Sequence, residues 1–141
     1  MRKLVYVFII ILAFCSCDDT KVGYLLVDDA AYDPTSMEIH WASELDPDAD
    51  EERIRLQYPW ISPEVQGVLG TLPLEYYIQD IHTEDGDVDS FKKYVSMRVG
   101  DGVFEIPYDH QVKKGTYIID VNIQNEGYSY TRDSLFSIIV K

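Results

Sequence analysis

Lys114 to Lys141, KGTYIIDVNIQNEGYSYTRDSLFSIIVK, is the stretch of sequence that decides the fold. From Thr116 to Ile123 the residues of one face are all apolar and those of the other are polar except for Ile118, and Asn125-Glu126-Gly127 is a hairpin signal. Tyr128 to Val140 then forms a second long run that we expect to bulge near Asp133-Ser134. A period of two indicates strands with one face in the core. The chain therefore ends in a predicted two-stranded hairpin, whose first strand turns Tyr117, Ile119, Val121 and Ile123 inward.

The rest of the chain consists of short apolar or alternating runs separated by turn signals. The predicted strands are Val22 to Val27, Ser36 to Trp41, Arg53 to Tyr58, Leu74 to Ile81, Phe91 to Val99 and Val103 to Tyr108. Pro59 and Pro63 exclude a long helix, although one helical turn fits within Asp48 to Arg53. About eight short strands without a convincing helix predict an all-β, antiparallel sandwich rather than a βαβ fold.

The order of features around Lys114-Gly115-Thr116-Tyr117 resembles the last two strands of immunoglobulin-like and cadherin-like domains. In those domains a tyrosine at the entry to the penultimate strand ties down the preceding loop. The resemblance covers the last third of the chain. It implies an immunoglobulin-like β-sandwich of about seven to eight strands, formed by residues 22–141.

The N-terminus has the layout of a secretory signal. Arg2 and Lys3 precede an unbroken apolar run from Leu4 to Phe14, which ends before Cys15-Ser16-Cys17. Eleven apolar residues are too few to span a bilayer, which needs roughly 20. We therefore predict that residues 1–16 are a signal peptide that is removed.

Ser16 and Cys17 resemble the lipobox of bacterial lipoproteins, in which the cysteine is acylated and becomes the new N-terminus. The resemblance implies a lipidated tether over residues 17–21 that holds the protein on a membrane through Cys17. Asp18-Asp19 resembles the export tag of surface lipoproteins in the Bacteroidota, which implies the outer face of the outer membrane. The alternative is that both cysteines are ordinary and that the mature protein is secreted without an anchor.

Charge and cysteine content exclude several classes of function. Without Arg2 and Lys3, 10 basic side chains face 25 acidic ones, a net charge of −15. Such a chain repels phosphate backbones, so nucleic acid is not an expected partner. The mature body contains no cysteine after Cys17, which excludes disulfides, thiol nucleophiles and cysteine-ligated zinc there.

Several aromatic residues are candidates for stacking on sugar rings. Trp60 lies between two prolines and Tyr77 falls on the polar face of its predicted strand, so both are expected at the surface, with Tyr58 nearby. Trp41 and Tyr76 fall on apolar faces, and we expect them in the core.

Two acidic loops space their carboxylates two residues apart, as a hard cation such as calcium requires. The candidate ligands are Asp46, Asp48 and Asp50 in the first loop, and Asp85, Asp87 and Asp89 in the second. Neither loop matches an EF-hand, because glycine and glutamate are missing from the sixth and twelfth positions. The alternative is solvated surface charge.

No motif predicts catalysis. The chain lacks a Gly-x-Ser-x-Gly elbow, and His40, His82 and His110 have no zinc-ligand spacing. The protein looks like the small lipoproteins that accompany glycan-uptake systems, which implies a non-catalytic surface domain that binds polysaccharide. The alternatives are a protein–protein adhesion or assembly module at the same location and, from a different class, a small hydrolase.

Overall fold

The computed structural model of the protein describes residues 20–141; the predicted signal peptide, Cys17 and most of the predicted tether lie outside the described residues. The described chain is mostly β-strand, with two α-helices. The strands are β1 Leu25–Leu26, β2 Ser36–Ile39, β3 Trp60–Ile61, β4 Leu69–Gly70, β5 Glu75–His82, β6 Ser96–Met97, β7 Phe104–Ile106, β8 Gly115–Gln124 and β9 Ser129–Val140. The helices are α1 Glu51–Leu56 and α2 Val88–Tyr94, and neither is long and apolar enough to cross a membrane.

The strands form three sheets. The largest has four strands in the order β2-β9-β8-β5, the second has three in the order β3-β7-β6, and β1 pairs with β4. All pairs are antiparallel except β2 with β9, which runs parallel from Ser36 opposite Ser137 to Ile39 opposite Val140. The prediction of purely antiparallel sheets is therefore wrong at this edge. No tight turn joins β2 to β9, so no hairpin fixes their relative direction.

The β8–β9 hairpin confirms the prediction made from the end of the sequence. The amide of Asn125 donates to the carbonyl oxygen of Tyr128 at the turn. The register shifts between the pairs Ile119–Phe136 and Val121–Arg132, which places a bulge at Asp133–Ser134. Ser134 adopts φ 51°, and its amide donates to Asp120 Oδ1 at 2.7 Å, so the bulge is held from the neighbouring strand.

Tyr117 at the start of β8 ties three elements together. Its hydroxyl donates to the carbonyl oxygen of Lys113 at 2.7 Å and accepts from the amide of Asp87 at 2.9 Å. Its ring stacks on Phe91 of α2, with 4.4 Å between the ring centroids. The contact with the preceding loop that the sequence predicts for this tyrosine is therefore present.

Three aromatic rings join the two larger sheets in the core. Phe136 of β9 stacks on Phe104 of β7, with the centroids 5.3 Å apart. Tyr32, in the link between β1 and β2, lies 4.6 Å from Phe136 and donates its hydroxyl to the carbonyl oxygen of Gly102. All three are almost completely buried, so the four-stranded and three-stranded sheets share one hydrophobic core.

Two predicted strands are helices instead. Arg53 to Tyr58 falls largely in α1, and the first four residues of Phe91 to Val99 are in α2, which leaves only Ser96–Met97 of that segment as strand. Asp87 caps α2 because its side chain accepts from the amides of Asp89 and Ser90. Phe91 and Val95 are both buried, a spacing of four that matches one face of a helix as well as it matches a strand.

The structure differs in detail from two further predicted strands. Only Leu25–Leu26 of the apolar run Val22 to Val27 forms a strand, and Leu26 points to solvent. In β5 a bulge between Ile78 and Asp80 reverses the faces, so that Ile81 is buried where strict alternation places it outside. The prediction that Tyr76 belongs to the core is confirmed, and Trp41 packs against the core while its Nε1 donates to the carbonyl oxygen of Val112.

Candidate functional site

The candidate site is an open groove beside the three-stranded sheet. It has a volume of about 650 Å³, and its two aromatic lining residues are Tyr94, at the end of α2, and Tyr108, just after β7. Glu105, Asp109, Gln57, Ser96, Pro59 and Pro107 complete the lining. The ends of both helices and of β7 therefore meet at this groove.

The groove combines apolar ring faces with hydrogen-bonding groups. Tyr94 and Tyr108 are half-buried, which holds their rings in place while part of each stays accessible. The carboxylates of Glu105 and Asp109 and the amide of Gln57 supply acceptors and donors along the same wall. Lys93 Nζ lies 5.3 Å from the centre of the Tyr94 ring, so that ring also attracts a cation.

Trp60 and Tyr58 lie next to the groove, but the side chain of Arg53 lies over both of their rings. The guanidinium of Arg53 lies 3.7 Å from the centre of the Trp60 ring and 4.5 Å from that of Tyr58. Trp60 is half-buried and packs against the core, and its Nε1 is buried without a hydrogen-bond partner. Tyr58 is the more open of the two, with 39% of its surface exposed.

Tyr77 lies on the other sheet, in a polar row across the outer face of β5, β8 and β9. Its hydroxyl donates to Glu75 Oε2 at 3.1 Å, and Gln124 Nε2 donates to the same oxygen at 3.0 Å. This hydrogen bond to Glu75, followed by desolvation, raises the pKa of Tyr77. Asn122 is opposite Tyr77. The structure thus separates Tyr77 from Trp60 and Tyr58, and the three do not form one platform.

The two acidic loops use their carboxylates to hold the local backbone. Asp46 Oδ1 accepts from the amide of Asp48, and Asp50 Oδ2 accepts from the amide of Asp46. In the second loop Asp85 Oδ1 accepts from the amide of Thr116, and Asp87 caps α2. Within residues 20–141 no group of three or more His, Cys, Asp or Glu side chains is arranged to hold a metal ion.

Calcium binding by Asp46, Asp48 and Asp50, or by Asp85, Asp87 and Asp89, stays a prediction. Binding to either loop raises the melting temperature in millimolar calcium, because a ligand that binds only the folded state stabilises it. A chelator should reverse that rise. A melting temperature that does not respond to calcium would exclude both loops as sites.

His110 and His82 have different environments. His110 is completely buried; its Nε2 donates to the carbonyl oxygen of His40, and burial lowers its pKa. His82 is exposed, and its Nε2 lies 2.7 Å from Asp120 Oδ2 beside a second open pocket of about 510 Å³. This contact brings together β5 and β8, and the sequence offers no sign of it, since 38 residues separate the partners.

The ion pair between His82 and Asp120 shifts both pKa values. The hydrogen bond and the charge of Asp120 raise the pKa of His82, with smaller effects from Asp80 and Asp133. Burial acts to raise the pKa of Asp120, but the hydrogen bonds from the Ser134 amide and from His82 outweigh it, and the pKa is lowered. The pair is therefore complete between the folded-state pKa of Asp120 and that of His82.

We expect the stabilisation from this pair to disappear at alkaline pH. The His82 contribution is present in full below its unfolded pKa of about 6.5 and is lost as pH rises through the higher folded value. Asp120 contributes above its unfolded value and loses this contribution as pH falls through its lowered pKa. Urea titrations near pH 6 and pH 8.5 should show that wild type loses more stability on alkalisation than His82→Gln. Equal losses would contradict the assignment.

Comparison of the chain with protein-family models, curated proteins and solved structures found no match. The functional assignment accordingly depends on the geometry of the chain itself.

Proposed function

We propose that this protein is a lipid-anchored protein of the outer membrane whose immunoglobulin-like β-sandwich binds glycans at the cell surface without hydrolysing them. The pairing of a β2-β9-β8-β5 sheet with a β3-β7-β6 sheet supports the finer fold assignment. The loop contact of Tyr117 supports it as well, because this tyrosine is a feature of such domains.

The groove between Tyr94 and Tyr108 is the observation on which the binding proposal depends. A sugar ring has apolar CH faces, which stack on aromatic rings, and a rim of hydroxyls, which pair with carboxylates and amides. The groove supplies both: two tyrosine rings, and the polar groups of Glu105, Asp109 and Gln57. Its acidic wall disfavours anionic ligands, so we propose neutral polysaccharide segments as the ligand class.

The location follows from the N-terminal sequence. Leu4 to Phe14 directs export, and acyl chains on Cys17 would hold the mature protein on the membrane. Asp18-Asp19 after the cysteine supports surface exposure. Protease treatment of intact cells tests this part: digestion supports an exposed domain, and complete protection would contradict it.

Replacing the groove tyrosines should abolish glycan retention. We expect Tyr94→Ala and Tyr108→Ala each to weaken binding by about 1–3 kcal/mol, because each removes a stacking face from a preformed site. Affinity electrophoresis in gels that contain neutral polysaccharides measures the effect as loss of retardation. The melting temperature of each variant, measured in parallel, shows whether the fold is intact.

Tyr130→Ala and Tyr77→Ala are the matched controls. Tyr130 and Tyr77 have 45% and 40% of their surfaces exposed and lie on the four-stranded sheet, away from the groove. Both variants should be retarded like wild type. If Tyr77→Ala loses retardation while the groove variants are retarded like wild type, the glycan site lies on the outer face of β5 instead. If all four variants are retarded like wild type, glycan stacking at these residues is refuted.

A further inference from the structure

An exposed apolar surface lies where the described chain begins. It consists of Val22, Tyr24, Leu26, Leu69 and Leu72, here called the β1/β4 patch, and more than half of the surface of each residue is exposed. Leu26 lies directly opposite Leu69 across the β1–β4 pair, so their side chains share one face. Contiguous exposed apolar residues on a soluble domain mark a surface that contacts something else.

The backbone beneath the β1/β4 patch is well supported. The amide of Thr71 donates to the carbonyl oxygen of Tyr24 at 3.0 Å. The side-chain amide of Asn125, in the β8–β9 turn, donates to the carbonyl oxygens of both residues, at 2.9 and 3.1 Å. Leu25 packs in the core and fixes the opposite face of β1. The patch is therefore a defined surface rather than a loose end of the chain.

The tether limits what can cover this surface. Val22 follows Cys17 by only five positions, and an extended chain spans at most about 3.6 Å per residue, so Val22, where the patch begins, lies within about 18 Å of the anchored cysteine. If Cys17 carries acyl chains, its backbone is at the level of the lipid headgroups. The first surface of the domain that meets the membrane is then the apolar one.

We propose that the β1/β4 patch lies against the bilayer that holds the lipid anchor, so that the domain rests on the membrane in one orientation. This inference depends on the proposed lipidation of Cys17. The mature chain carries an excess of acidic side chains, so the contact relies on apolar burial in neutral lipid rather than on attraction to anionic headgroups. Raising the salt concentration should therefore leave the contact intact.

Site-specific fluorescence on the acylated, full-length protein tests the orientation. Cleavage of the signal and acylation leave no other free cysteine, so Leu26→Cys and, as a control, Ile61→Cys each take one environment-sensitive dye. Leu26 and Ile61 are matched, with 55% and 56% of their surfaces exposed, but Ile61 lies in β3 of the three-stranded sheet. The labelled proteins are reconstituted in phosphatidylcholine vesicles with and without brominated acyl chains.

We expect a blue-shifted emission at position 26 and several-fold stronger quenching by brominated lipid there than at position 61. Mass spectrometry and flotation report separately on acylation and vesicle binding. Protein that is acylated and floats, with equally weak quenching at both positions, would overturn the inference and leave the anchor intact. Protein that is neither acylated nor vesicle-bound would refute the proposed anchor and the inference together.

A different partner gives a different pattern. If a second copy of the chain covers the β1/β4 patch, the emission at position 26 shifts without quenching by brominated lipid, and the shift depends on protein concentration. That result would also overturn the membrane contact. The double variant Tyr24→Ser/Leu69→Ser, made in the Leu26→Cys protein, provides an independent check, since it should keep its melting temperature and its anchor while quenching at position 26 falls to the level at position 61.

Discussion

Phe136→Ala is expected to lower the free energy of unfolding by about 3–5 kcal/mol, which is a large share of the roughly 5–15 kcal/mol that stabilise a domain. Phe136 is completely buried, and its ring contacts those of Tyr32 and Phe104. Removing it eliminates the contact between β9 and β7 and leaves a cavity between the two sheets. The surrounding rings cannot collapse into this cavity without moving both sheets.

Thermal and urea unfolding of Phe136→Ala measure this effect. The melting temperature should fall by roughly 10–20 °C at this chain length. Tyr130→Ala, also on β9 but with 45% of its surface exposed, is the control and should change stability little. A loss below about 1 kcal/mol in Phe136→Ala would mean that the two sheets do not share this core.

Gly67→Ala is expected to destabilise the fold by about 2 kcal/mol or more. Gly67 has φ +75°, a conformation that costs an L-residue roughly 1–2 kcal/mol. An added Cβ would also overlap the carbonyl oxygen of Asp29, a backbone atom that cannot move aside cheaply. The neighbouring bridge between Ala31 and Gln66, formed by two backbone hydrogen bonds, holds the segments together at this point.

Gly100→Ala is the matched control for this substitution. A Cβ at Gly100 meets no atom within 4 Å, so the variant should be neutral or slightly stabilising. Urea titrations give the difference in the free energy of unfolding between the two variants when both transitions have the same dependence on urea concentration. Equal stability of both variants would show that the close approach of Gly67 to Asp29 is absent.

Local sequence was sufficient to predict the β8–β9 hairpin. The alternation from Thr116 to Ile123 predicts a β-strand with one buried face, because this is the regular structure in which side chains repeat every two residues. The bulge at Asp133–Ser134 was also predictable, since it lies in a run of four polar residues, Thr131 to Ser134, that interrupts the alternation. These features use neighbours in the chain, and such interactions are encoded locally.

Local sequence was ambiguous in the segment from Val88 to Val99. Val88, Phe91 and Val95 are three and four residues apart, as on one face of a helix. Val95, Met97 and Val99 are two residues apart, as on one face of a strand, so the periodicity fits both structures. The deciding interaction is the cap at Asp87, which the amides of Asp89 and Ser90 complete. The same aspartate has carboxylates two residues away on either side, a pattern that also predicts a calcium site.

Most residues that line the groove could not be predicted from the sequence. Tyr94 and Tyr108 line the same groove only because α2 and β7 end at the same place, and the two residues are 14 positions apart in the chain. The sequence predicts Trp60 and Tyr58 as stacking residues instead. They lie beside the groove, but the guanidinium of Arg53 lies over both of their rings. An aromatic residue in the last turn of a helix that begins at a capping aspartate is the signal that points to Tyr94.

The β-rich class and the final hairpin could be predicted from sequence pattern, because each depends on residues close together in the chain, and the tie between Tyr117 and the loop before it was implied by the resemblance to immunoglobulin-like domains. The tertiary structure decided the parallel pairing of β2 with β9, the ion pair between His82 and Asp120, and the convergence of tyrosines at the groove. These depend on segments that meet only after the core has formed. Their geometry is set by which faces are buried together, and local pattern does not carry that information.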